Sequence, residues 1–189
     1  MTQADNRPET EWVALMAALA QGDRQALQRL MQRFGPGVTR FSAAMLRRPE
    51  EAEDVVQEVF LRVWQKASRY DPARAAVSTW IYRIAANHCT DRNRRLGVRH
   101  FLGLDAAPDP VDDHPPAEYD LAMRQRLGLT RAALHHLPDR QRRALLLRAS
   151  GELSTREIAQ IMGLSTGAVE QLLIRARARL RDQLKEIDP

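Results

Sequence analysis

LSTREIAQIMGLSTGAVEQLLIRARARL, residues 153 to 180, decides how the rest of the chain is read. Ser154-Thr155-Arg156-Glu157 is a capping box, in which a hydroxyl and a carboxylate three residues apart satisfy two free backbone N–H groups reciprocally. A short helix therefore opens here and runs through Met162. Gly163 ends it, because glycine takes the positive φ of a tight turn without steric cost. A longer helix follows, from Thr166 to Leu184. Ile158, Ala159, Met162, Gly163, Leu164, Val169 and Leu172 then meet the geometric demands of a helix-turn-helix. Ala159 is small where the helices cross, while Val169 and Leu172 anchor the second helix on the first. Such a second helix aims its first turns at a DNA major groove, offering Thr166, Glu170, Gln171, Ile174, Arg175 and, one turn on, Arg179 to base edges and phosphates. Arg175 and Arg179 share a face, whereas the Arg177 side chain leaves in another direction.

Moving toward the N-terminus, Leu145, Leu146 and Leu147 mark a helix ending near Gly151, and Met123, Leu127, Leu134 and Leu137 one ending at Pro138. Before these, residues 97 to 120 contain Pro108, Pro110, Pro115 and Pro116. Residues 103 to 120 carry six carboxylates and no Lys or Arg. That composition buries too little apolar surface to fold alone, so it reads as an acidic linker. On either side, residues 1 to 102 hold 16 basic and 11 acidic side chains, and residues 121 to 189 hold 13 and 7. Two basic bodies flank an acidic connector, which suits polyanionic partners. The chain is rich in Leu, Ala and Arg with only 5% aromatic residues, the usage of packed helices. The expected architecture is all-α: an N-terminal domain over 1–98, a flexible linker over 99–120 and a helix-turn-helix domain over 121–189.

Within the first domain, residues 1 to 10 are polar and read as frayed. Trp12, Leu15, Met16 and Leu19 begin a stripe that pauses at Gly22-Asp23. Leu27, Leu30, Phe34, Val38, Phe41 and Met45 make the buried face of a second helix, which Gly35-Pro36-Gly37 is expected to kink. Pro49 with Glu50, Glu51, Glu53 and Asp54 opens a third helix, since proline fits the first turn and carboxylates favour the positive end of the helix dipole. Val56, Val59, Phe60 and Val63 face inward, leaving Asp54, Gln57, Glu58 and Leu61 on another face. A loop over 68–78 carries Tyr70, Arg74 and Ser78. The next helix turns Trp80, Ile81, Ile84 and His88 inward and Tyr82, Arg83, Asn87, Asp91, Arg94 and Arg95 outward.

These strings together resemble the sigma-70 family of transcription initiation factors in its smallest form, the extracytoplasmic-function (ECF) subfamily. EDVVQEVFLRVW (53–64), STWIYRIAANHCTDRNRR (78–95) and LPDRQRRALLLR (137–148), followed by the helix-turn-helix, carry the likeness. The resemblance implies that Asp54, Gln57, Glu58 and Leu61 dock on the RNA polymerase core. It implies further that Tyr70, Arg74, Ser78, Trp80, Arg83, Asn87, Arg94 and Arg95 capture the melted minus-ten promoter element. Stacking on aromatic or guanidinium planes and reading by an amide suit an unpaired base. Thr166, Glu170, Gln171, Ile174, Arg175 and Arg179 would meet the minus-thirty-five element. Glu170 and Leu172 stand where many relatives have Arg or Lys; a carboxylate there can accept from cytosine N4. An anti-sigma protein is an implied partner.

A stand-alone helix-turn-helix regulator is the alternative, but it leaves the acidic third-helix face without a role. An enzyme is disfavoured, since no GxxxxGK[ST], HExxH or paired CxxC motif occurs and the five histidines lack ligand spacing. No cofactor, metal or small-molecule substrate is expected. Cys89, the single cysteine, cannot form an internal disulfide. No apolar run reaches membrane-spanning length. A cytoplasmic location is expected, with any membrane link made through the anti-sigma partner.

Overall fold

In the first half of the chain, helix α1 spans Glu9–Ala20 and buries Trp12, Leu15, Met16 and Leu19. The computed structural model describes residues 9–101 and 121–187, among which there are eight α-helices and no strand. Glu9, expected to be frayed, already belongs to α1. Its Oε1 accepts the Val77 backbone N–H at 2.7 Å, so the start of one helix caps the start of another. Asp23 caps α2 (Arg24–Met45), its carboxylate accepting from Gln25 N–H at 2.8 Å and Ala26 N–H at 3.3 Å. This helix runs unbroken through Pro36. Pro36 withholds the N–H that the Gln32 carbonyl would accept. Burial of Leu30, Phe34, Val38 and Phe41 on one face holds the helix together across that gap.

A 3-10 turn over Pro49–Glu51 leads into α3 (Ala52–Lys66), which buries Val55, Val59, Phe60 and Val63. Val55 takes the place expected for Val56, which is only partly buried. A second 3-10 turn, Ala67–Arg69, and a tight turn precede α4 (Val77–Phe101). Ser78 therefore lies in the first turn of a helix rather than in a loop. Helix α4 also continues past residue 98 into the stretch read as linker; residues 102–120, which hold its six carboxylates, lie outside the described residues.

The second half comprises α5 (Leu121–His136), α6 (Asp139–Gly151), α7 (Thr155–Met162) and α8 (Thr166–Ile187). The capping box of α7 is complete, and Gly163 takes φ of 65° between α7 and α8. At the end of α6 the left-handed residue is Glu152, with φ of 53°, and Gly151 is still helical. Gly151 answers to space instead: a Cβ there would lie 3.1 Å from the Tyr82 ring and 3.0 Å from Leu153. Val169, Leu173 and Ala176 hold α8 against its neighbours, while Leu172, expected as an anchor, is only partly buried.

The halves share one apolar core, with α6 packed on α2 and α4, and α7 on α4. This covers a second side of α4 and corrects the outward placing of Tyr82, which is 3% exposed. The Tyr82 hydroxyl donates to the Ser150 carbonyl at 2.7 Å, and burial pushes its pKa up to about 12. Gly37 makes the approach possible, since a Cβ on it would fall on the Tyr82 hydroxyl and crowd the Ser150 carbonyl.

Candidate nucleic-acid and protein interfaces

The helix-turn-helix presents an uncovered face on α8. Ser165 Oγ accepts the Ala168 N–H at 3.2 Å, which fixes the first turn of α8. From that turn onward Thr166, Glu170, Gln171, Ile174, Arg175 and Arg179 are all exposed, while the opposite stripe is buried. Ile174 is 57% exposed. A large apolar side chain amid polar neighbours on an uncovered helix suits a thymine methyl, and the guanidiniums beside it suit phosphates and guanine. The six residues singled out by sequence do form one surface.

Helix α3 carries a second surface. Asp54, Gln57 and Leu61 are exposed, Leu61 by 54%, and share a side of the helix turned from the core. Glu58 belongs to this side but is half-buried. Its Oε2 approaches His88 Nε2 to 2.9 Å without hydrogen-bonding geometry, and its Oε1 lies 3.8 Å from the Arg92 guanidinium. Arg92 in turn binds Glu51. Burial, and then the nearby Arg62, lower the His88 pKa, with Glu58 opposing them. The imidazole is therefore neutral near pH 7. An acidic surface with an exposed apolar side chain at one end suits a basic protein partner carrying an apolar pocket. The sequence reading missed Arg92, whose guanidinium ties α4 to both Glu51 and Glu58.

The turn before α4 and the helix itself carry the third group. Arg74 is exposed, and Tyr70 is half-buried, its hydroxyl donating to the Ala75 carbonyl at 3.0 Å. Desolvation, then the charges of Glu9 and Asp71, raise its pKa to about 12. Trp80 stands edge-on to Tyr70, with ring centres 5.6 Å apart, and is partly buried. It forms a wall with Tyr70, not a free platform. Arg83 is half-buried, Arg94 pairs with Asp91 at 3.2 Å, and Arg95 is exposed. Ser78 and Asn87 face the second half: Glu157 Oε1 is 3.5 Å from the Ser78 hydroxyl, and Asn87 Oδ1 accepts from Arg143 at 3.1 Å. Thr79 was missed by the sequence reading, yet its buried hydroxyl donates to Glu157 at 2.9 Å. A hydroxyl on the covered side of an apolar helix is the signal that marks it.

No group of three or more potential metal ligands is present among the described residues. His88 faces Glu58, while the Cys89 thiol, pushed up to about 11 by burial, donates to the Ser42 hydroxyl at 3.7 Å.

Two family models match: Sigma-70 region 2 over residues 30–98 and Sigma-70 region 4 over residues 127–180. The ECF RNA polymerase sigma factor RpoE of Cereibacter sphaeroides is 38% identical over 95% of this chain and 98% of that protein. Among solved structures, CnrH in complex with the cytosolic domain of CnrY is similar with a TM-score of 0.72 and 26% identity, covering 94% of this chain and 98% of that one. RpoE of Bartonella quintana, solved with the anti-sigma factor NepR, has the same fold at a TM-score of 0.72 and 24% identity, covering 86% and 98%. With both regions matched in order on an all-helical frame ending in a helix-turn-helix, the chain belongs to the extracytoplasmic-function branch of the sigma-70 family.

Proposed function

We propose that this sigma factor divides its work among the three surfaces above. Asp54, Gln57, Glu58 and Leu61 bind the polymerase core. Tyr70, Arg74, Ser78, Trp80, Arg83, Asn87, Arg94 and Arg95 take the minus-ten element, and the exposed face of α8 reads the minus-thirty-five element. Residues 1–98 form the first functional domain, residues 99–120 the tether and residues 121–189 the second. The protein performs no covalent chemistry. It works in the cytoplasm under an anti-sigma partner, as the relative solved with NepR suggests by analogy.

The observation that carries this reading is the presence of two uncovered faces on different helices, each with an exposed large apolar side chain, Leu61 on α3 and Ile174 on α8. A monomeric regulator needs only the second. Replacing Asp54 and Leu61 together by Ala should weaken binding to purified core polymerase at least about tenfold, the scale of losing an interface hot spot. Ile174→Ala should leave core binding intact while lowering transcription from a promoter with an intact minus-thirty-five element. Core binding unchanged in the Asp54/Leu61 variant would contradict the assignment.

A further inference from the structure

Glu170 is the one acidic side chain on the exposed face of α8 between Thr166 and Arg181, one turn after Gly167 and one turn before Ile174. Ser165 accepts the Ala168 N–H, so the carboxylate sits on a capped, regular helix. An exposed acid on a helix is commonly met by a cation three or four residues away. Here those neighbours are Thr166, Gly167, Leu173 and Ile174, so the helix offers Glu170 no partner. Arg175, five residues on, leaves about 140° around the axis. The carboxylate makes no ion pair among the described residues.

Gly167 adds a second observation on the same face. Glycine weakens a helix relative to alanine, yet the fold makes no use of it here: a Cβ would meet nothing within 4 Å. A bare backbone at that point lets a ligand approach α8 closely. A close approach one turn before Glu170 brings its short side chain within reach of base edges.

Beside DNA, the chemistry of a carboxylate is selective. Phosphates repel it, so it adds nothing to sequence-independent affinity. In the major groove guanine shows two acceptors, N7 and O6, and thymine shows the O4 acceptor and a methyl group; neither can donate to a carboxylate. Adenine offers its N6 amino group but sets the N7 acceptor beside it. Cytosine offers the N4 amino group with no acceptor next to it on its own edge. Cytosine therefore stabilises an uncompensated carboxylate best, and guanine, with two acceptors, opposes it most.

We propose that Glu170 is a specificity-determining residue: it selects cytosine at one position of the minus-thirty-five element by accepting from N4, and it rejects guanine there. The inference rests on the assignment of the α8 face to that element. Ile174 and Gln171 then read neighbouring positions, while Arg175 and Arg179 supply phosphate contacts that offset the charge of Glu170.

The test uses core polymerase with the full-length chain on a promoter library randomised across the minus-thirty-five element, each promoter marked by a barcode in its transcript. Wild type, Glu170→Ala, Glu170→Gln and Ile174→Ala are compared. Because Glu170 is exposed, its replacement leaves the core untouched. Wild type should favour cytosine over guanine by about tenfold at one position, the scale of a single mismatched base pair. Glu170→Ala should flatten that position alone. Glu170→Gln should move its preference to adenine, since an amide pairs with N6 and N7 together. Ile174→Ala should change a different position and keep the cytosine. A Glu170→Ala profile equal to wild type at every position, even with higher total activity, would overturn the proposal and leave Glu170 a solvated charge. A preference for guanine or thymine that depends on Glu170 would overturn it too. If Ile174→Ala also leaves every position unchanged, the assignment of α8 to the minus-thirty-five element fails and the proposal falls with it.

Discussion

His88 shows how one side chain ties α4 to α3. It is buried on α4, with Glu58 from α3 beside it and the guanidiniums of Arg62, Arg92 and Arg95 around it. Burial comes first among the causes that lower its folded pKa below 6.5, and those cations act in the same direction. A folded value below the unfolded one means that its contribution to stability is present above pH 6.5 and is lost as pH falls through the lowered value. Melting temperature should therefore drop more steeply between pH 7.5 and pH 5 in the wild type than in His88→Gln; equal slopes would remove His88 as the cause. At this scale the sequence was informative where a residue's partner is close along the chain. Ser154 and Glu157 were legible as a capping box because their contact spans three residues. The second use of Glu157, on Thr79 and Ser78, joins positions nearly eighty residues apart and leaves no periodic trace.

Elements were legible for a related reason. The three-and-four spacing of Leu30, Phe34, Val38 and Phe41 announces α2 because only one side of that stretch is strongly apolar. Helix α4 misled the same method: it packs on α2 and α3 on one side and on α6 and α7 on another, so Tyr82 is covered although it lies off the inner stripe. The turn between α7 and α8 was read from Gly163, and the structure gives it φ of 65° with open space where a side chain would sit. Gly163→Ala should accordingly cost about 1 kcal/mol in urea denaturation, from backbone strain alone. Gly37→Ala acts differently. Its φ is ordinary, but the methyl would collide with the Tyr82 hydroxyl and Ser150 carbonyl, so about 1–3 kcal/mol of destabilisation is expected. Adding Tyr82→Phe should recover part of that cost, because the hydroxyl in the way is gone. No recovery in the double variant would place the strain elsewhere.

For the whole molecule, a single core across both halves sets the problem that any partner has to solve. The minus-ten and minus-thirty-five elements lie far apart on promoter DNA, whereas α4 and α7 touch here. Under the assignment proposed above, one chain that reads both elements has to present α4 and α8 to sites further apart than this packing places them. The covered side of α4 follows from the same packing, which leaves the α3 and α8 faces exposed. The most direct measurement is run-off transcription by purified core polymerase over a library of promoter sequences, with and without this chain. The account predicts discrete start sites that depend on the added chain and disappear when Asp54 and Leu61 are both replaced by Ala. A folded chain, free of any inhibitor, that leaves core polymerase without a single defined start site would contradict it.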